Sequence, residues 1–309
     1  MTTLTCPSVR IGLKNILIAT DFSPLSQRAL DYALSFARRY ESNLTVAHVL
    51  SPALYATPST AALYGALDPL PYLDGVRREL QHRADELAQY VSDSGVNCNP
   101  VVVEGGISEQ LKRLIEDRDI DLLVLGTHGA ERWNRLVMGS VAESLVHNAK
   151  CPVLTIGPRV FRRPTFEVSL RHIIYATDFS AESAHAAPYA LSLAQEYSSK
   201  ITLVHVLPPD MRSNGDRDLL TTHFRDELQK LVPVDVENWC EPEFVLEYGS
   251  SVEAVLELAE QRNADLIVLG TRKSNAGVLT YFKSGVAYHV MCRAECPVFT
   301  ITGEQEFLG

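Results

Sequence analysis

The chain has 309 residues, 46% of them hydrophobic, and a formal net charge of −10 at pH 7. That length suits two domains of ordinary size, and an acidic balance with neither half basic argues against a nucleic-acid-binding surface. No apolar run reaches the roughly eighteen residues of a membrane span, and Met1 to Leu13 lacks the apolar centre of a signal peptide, so a cytoplasmic location is expected.

In chain order, apolar runs predict strands near 15–20 and 44–49, separated by a helix. Ser23 offers a capping hydroxyl, Pro24 suits the first helical position, and Leu25, Ala29, Ala33, Phe36, Ala37 and Tyr40 keep a 3.6-residue period. Residues 51–74, rich in Pro, Tyr and Ala, read as a long connection, either a lid or contact surface or a tolerated insertion. A second helix carries Val76, Leu80, Ala84, Leu87 and Val91 on one face, and strands follow near 100–104, 121–126 and 152–156. Gly157 to Pro164 reads as a linker, dividing the chain into domains 1–158 and 159–309.

The second half repeats the first. Asn15 to Ser23 recurs as His172 to Ser180, Leu44 to Leu50 as Ile201 to Leu207, Asp121 to Thr127 as Asp265 to Thr271, and Cys151 to Ile156 as Cys296 to Ile301. Four matches in the same order identify a tandem duplication. Strands are therefore expected near 172–177, 201–206, 243–247, 265–270 and 297–301, and alternation of strands with helices predicts parallel α/β sheets covered on both faces.

Gly126-Thr127-His128-Gly129 follows an apolar strand, and Gly139-Ser140 opens the helix Val141 to Val146. Several backbone amides converging on one point, unobstructed by side chains, would hold a phosphate, and a helix N-terminus favours an anion. The same glycines would also serve a tight turn and a helix start. No Walker loop is present, nor a Rossmann GxGxxG after the first strand.

With these residues in place the chain resembles the universal stress protein family, whose nucleotide signature G-x2-G-x9-G-[ST] is matched by Gly126, Gly129, Gly139 and Ser140. The resemblance extends to the Ala-Thr-Asp-Phe-Ser segment ending the first strand and the His-Val pair ending the second. It implies two doubly wound sheets of strand order 3-2-1-4-5, like the adenine nucleotide alpha-hydrolase fold. It further implies ATP, with Mg²⁺, held with its adenine at Asp21 and Val49 and its ribose and phosphates at Gly126, Gly129, Gly139, Ser140 and the Val141 amide. Ala19 and Thr20 flank Asp21 and Thr127 flanks Gly126, so they join the expected site. Asp21 would alternatively cap the helix that follows it.

The second copy departs from the pattern. Lys273 stands at the second glycine position, and alignment from Cys296-Pro297 puts Ser284 at the third and Gly285 at the serine. Asp178, Val206 and Gly270 are retained. The expectation is a degenerate second site and one ATP per chain, with Lys273 or Lys283 as a point charge for a different phosphate as the alternative. His48 and His205 read as structural, lacking a second ligand at metal spacing, and His128 is no motif residue. Cys292 and Cys296, one helical turn apart, and the other cysteines, Cys6, Cys98, Cys151 and Cys240, read as reduced and mostly buried.

No catalytic set emerges, so the reading is an ATP-binding stress-response regulator, with a slow ATPase or adenylate-transferring enzyme and a nucleotide-independent scaffold as alternatives. The family resemblance further implies that the last strands, Val153 to Ile156 and Val298 to Ile301, pair within one chain as a pseudo-dimer. Apolar residues of 51–74 leave room for a homodimer.

Overall fold

The computed structural model describes residues 10–51, 70–127, 138–162, 164, 168–213, 217–234, 236, 240–273 and 285–303. In the first half, strands β1 (Asn15–Ala19), β2 (Asn43–Leu50), β3 (Cys98–Glu104), β4 (Leu122–Gly126) and β5 (Val153–Ile156) run parallel in the order β3-β2-β1-β4-β5. The second half mirrors it, with β6 (His172–Ala176), β7 (Lys200–Leu207), β8 (Pro242–Tyr248), β9 (Leu266–Thr271) and β10 (Val298–Thr302) arranged β10-β9-β6-β7-β8. The 3-2-1-4-5 order holds in both. Central strands of parallel sheets are covered on both faces, which is why Leu122 to Leu125 form an unbroken apolar run and are all buried.

Where the halves meet, β5 pairs antiparallel with β10, Leu154 opposite Phe299, making one ten-stranded sheet. Thr155 and Thr300 hydroxyls reinforce this seam by donating to the carbonyls of Val298 and Val153.

The connecting helices are α1 (Pro24–Tyr40), α2 (Leu70–Asp93), α3 (Ile107–Asp117) and α4 (Ser140–Asn148), then α5 (Ala181–Ala184), α6 (Ala187–Tyr197), α7 (Arg217–Lys230), α8 (Ser251–Gln261) and α9 (Val286–Arg293). Ser23 caps α1 as expected, its hydroxyl accepting the Ser26 amide at 3.2 Å. The connection expected over 51–74 is shorter than that, because α2 already begins at Leu70; residues 52–69 lie outside the described residues. The second-half equivalent of α1 is broken into α5 and α6. Pro188, in the first turn of α6, has no amide to donate and its ring clashes with the carbonyl four residues back, which disfavours a straight helix running through from α5.

One core lies between the sheet and α1, α2 and α6, and a second lies on the opposite face under α3, α4, α8 and α9. Both cores run across the β5–β10 seam. On the first face, Phe36 and Tyr40 of α1 meet the ring of Tyr197 of α6 at 6.0 and 6.5 Å. The contact is reciprocal at the chain level. The Ile11 amide, ahead of β1, donates to Ser192 of α6, and the Val168 amide, ahead of β6, donates to Ser35 of α1. Arg28, buried in α1, ties down the linker through the Val160 carbonyl at 2.8 Å.

Candidate functional site

In each half the chain order reverses at the first strand, so that neighbouring strands diverge into connections on opposite faces and leave a crevice at their carboxyl ends. In the first half this crevice lies beyond β1 and β4, where Ala19 sits opposite Leu125.

The turn leaving β1 is held by its own short side chains. The Thr20 hydroxyl accepts the Phe22 amide and the Asp21 carboxylate accepts the Ser23 amide, each at 3.0 Å. These bonds hold Phe22 at φ 60°, a left-handed conformation uncommon outside glycine. Asp21 is exposed at the crevice and shapes the turn; the capping role that was its alternative belongs to Ser23. His48, at the end of β2, completes the support: its Nδ1 lies 2.8 Å from the Thr20 carbonyl and its ring 4.7 Å from that of Phe22. Nδ1–H donating to that carbonyl leaves Nε2 unprotonated, and burial lowers the pKa, favouring the neutral ring. Val49, the next residue, is buried toward the opposite face.

The glycine loop begins where β4 ends. Gly126 pairs with Ile156, and the buried Thr127 donates its amide to the Ile156 carbonyl at 3.0 Å. Gly129 and His128 lie outside the described residues. The chain returns at Gly139, whose amide donates to the Thr127 carbonyl at 2.8 Å. Gly139 is the N-cap of α4 and makes no side-chain capping bond, so no side chain of the cap competes for the amides at the start of the helix. Ser140 is exposed and Val141 half-buried at this end. The fold thus brings Ala19, Thr20, Asp21, Val49, Gly126, Thr127, Gly139, Ser140 and Val141 to one end of the sheet, on the crevice side of β1, β2 and β4.

The second half copies the turn and alters the loop. Thr177, Asp178, Phe179 (φ 58°) and Ser180 repeat the same hydrogen bonds, with His205 Nδ1 2.8 Å from the Thr177 carbonyl. Burial opposes ionisation of Asp178, but hydrogen bonds from the Ser180 hydroxyl and amide and from Ser183 outweigh it and lower the pKa. Val206 is half-buried beyond His205. At Gly270 a Cβ would lie 2.4 Å from the Glu182 carbonyl oxygen and 2.5 Å from Ser183 Cα. The close approach that this glycine permits is therefore filled by the chain's own helix α5. Arg272 stands 3.7 Å from the Glu182 carboxylate, and Lys273 follows it, exposed. Ser284 lies outside the described residues. Gly285 is the N-cap of α9, which is eight residues long where α4 is nine, so Val286 rather than a serine takes the first helical position.

One pair of contacts escaped the sequence reading. The Arg83 guanidinium of α2 stacks 4.3 Å over Phe22, whereas in the second half Phe224 of α7 stacks on Phe179 and His205. Helical spacing places Arg83 on an exposed face, and nothing local reveals an aromatic partner sixty residues away. The described cysteines are free, and burial pushes the Cys151 and Cys296 thiols up to about 12 and that of Cys292 to about 11, which leaves them protonated and unreactive.

A cavity of about 390 Å³ lies elsewhere, between the linker and α8, with Arg159, Phe161, Glu257 and Arg293 in its wall. Its Arg162 and Arg293 are already paired with Asp265 and Glu253.

A family model described as the universal stress protein family matches residues 12–157 and 169–302. A universal stress protein of Methanocaldococcus jannaschii is 26% identical over 143 residues, covering 46% of this chain and 81% of its own length. A putative universal stress protein of Staphylococcus aureus USA300 is 30% identical over 152 residues, covering 47% of this chain and 85% of its own. Along both halves, the crystal structure of a universal stress protein from Archaeoglobus fulgidus shares the fold, with a TM-score of 0.71 at 21% identity over 94% of this chain and 99% of that one. The helix-covered ten-stranded sheet is thus two copies of one domain, and the chain belongs to the universal stress protein family as a tandem, two-domain member.

Proposed function

We propose that this protein is an ATP-binding stress-response regulator in which domain 1–158 holds the nucleotide and domain 159–309 carries an altered site. The observation that carries nucleotide binding is the start of α4: Gly139 caps the helix without a side chain, leaving its first amides for an anion beside the Asp21 turn. Gly285 opens α9 in the same way, so the choice of the first half rests on its glycine spacing, where the second half has Lys273. An anion there gains from the helix dipole as well as from the amides, up to about 2 kcal/mol in partly buried geometry. Asp21 and Val49 would take the adenine end, with Ala19 and Thr20 forming the floor of the turn. Gly126, Thr127, Gly129, Gly139, Ser140 and the Val141 amide would take ribose and phosphates.

Mg²⁺ would be carried mainly by the phosphates. It commonly keeps several waters and needs few protein carboxylates, and among the described residues no group of three or more His, Cys, Asp or Glu side chains could form a cage. In the second half, Lys273 stands at the position of Gly129 and Gly285 at that of Ser140, which removes the open backbone and the hydroxyl and supports a stoichiometry of one nucleotide per chain. Asp178, Val206, Lys273 and Ser284 would then shape a site for another ligand or none.

Titration calorimetry with Mg·ATP tests the assignment. The expected result is about one site per chain, lost in Gly129→Lys, which copies Lys273 of the second loop. Undiminished binding by that variant, or two equal sites, would overturn it. Hydrolysis is expected to stay below about 1 per second, the low end for ordinary enzymes, because Asp21, the carboxylate among the described residues of the site, holds the turn and is assigned to the adenine end.

A further inference from the structure

The segment that opens α4 is held from the other domain. The amide of Met138, just before Gly139, donates to the phenol oxygen of Tyr288 at 3.1 Å. Tyr288 lies on α9, 150 residues away in sequence, and is only 3% exposed. The next amide, that of Gly139, donates to Thr127 at 2.8 Å. Two successive peptide units are thereby committed to fixed partners, one in each domain. A rotation of either would swing the amides of Ser140 and Val141 away from their present direction.

The reverse contact exists as well. His147 on α4 places Nδ1 2.6 Å from the carbonyl of Arg272, the residue after β9, and the Val146 carbonyl accepts the Thr302 hydroxyl at 2.9 Å. Each domain's last helix thus fixes the start or end of the other domain's loop.

We propose that Tyr288 is a positioning residue for the nucleotide site of the first domain: its hydroxyl holds Met138–Gly139 so that the amides of Ser140 and Val141 face the phosphates. The site is then incomplete without the second domain. This rests on the ATP reading above, and it assigns the altered second domain a task in the first domain's binding. Burial raises the phenol pKa, so the hydroxyl remains protonated across the physiological range.

Tyr288→Phe removes the oxygen and keeps the ring, which packs edge-on to His289 at 5.4 Å. In the full chain, amide hydrogen exchange of the ligand-free protein and calorimetric titration with Mg·ATP are compared for wild type and Y288F. The expected result is faster exchange confined to 138–142 and a Kd weaker by roughly two- to ten-fold, the worth of one hydrogen bond. Unchanged exchange at 138–142 overturns the proposal, as does an unchanged Kd. Exchange accelerated throughout the chain also overturns it, since that is the signature of a general structural role. If wild type itself fails to bind ATP, the nucleotide assignment falls, and exchange at 138–142 alone decides whether Tyr288 braces the loop.

Discussion

Phe22 and Phe179 sit in the same left-handed conformation, each after an aspartate whose carboxylate holds the turn and each against a histidine ring. A histidine buried as a neutral ring makes this support sensitive to pH. Burial lowers the pKa of His48, and also those of His147 and His172, from the ordinary 6.5. Lowering means that the unfolded chain takes up these protons first. Stability is therefore full above pH 6.5 and is lost as pH falls from there through the folded-state values. The melting temperature is expected to drop between pH 7.5 and pH 5.5, and His48→Gln to flatten that drop; a pH-independent melting curve for wild type would contradict it. Glycines divide by the same kind of local argument. A Cβ at Gly270 would collide with the backbone of α5, whereas at Gly139 its nearest neighbour would be the Thr127 carbonyl at 3.6 Å, an ordinary contact. Gly270→Ala is expected to lower unfolding free energy by about 1–3 kcal/mol. Gly139→Ala meets no clash and should cost only the weaker N-cap preference of alanine, about 0.5–1 kcal/mol, and urea titration of the two variants compares them.

At the scale of elements, the strands were legible because parallel, doubly covered strands read as unbroken apolar runs, and every predicted strand is present to within a few residues. The helix after β1 was legible from Ser23, Pro24 and its apolar stripe. Its counterpart in the second half is two pieces, with Pro188 marking the break. The start of α2 at Leu70 was missed, since Pro and Tyr near it read as loop. The glycine loop was visible as a spacing, but the start of α4, capped by Gly139 without a side-chain bond, required the backbone to be seen. Joining α5 to α6 by Pro188→Ala is expected to restore the missing hydrogen bond and raise helicity without abolishing folding. Circular dichroism and thermal melting of the variant would check this, and unchanged helicity would mean that packing, not the proline, sets the break.

At the scale of the whole molecule, the two halves share both cores, so neither face of the sheet closes within one half. Phe299, wholly buried opposite Leu154 at the seam, is expected to cost about 3–5 kcal/mol on truncation to alanine. That loss should appear in a single calorimetric transition for the full chain, because separating the halves would expose both cores. Two transitions, with only one moved by Phe299→Ala, would show that the halves fold independently. The sequence by itself determined the duplication, the α/β class and the difference between the two glycine loops, because each is written in local runs and spacings; the strand order followed from the family resemblance. Only the tertiary structure decided that Gly270 is filled by α5, that Arg83 and Phe224 stack on the paired phenylalanines, and that Tyr288 reaches the loop of the other domain. Those contacts join residues far apart in the chain, and no local pattern encodes which distant side chain the fold will bring alongside.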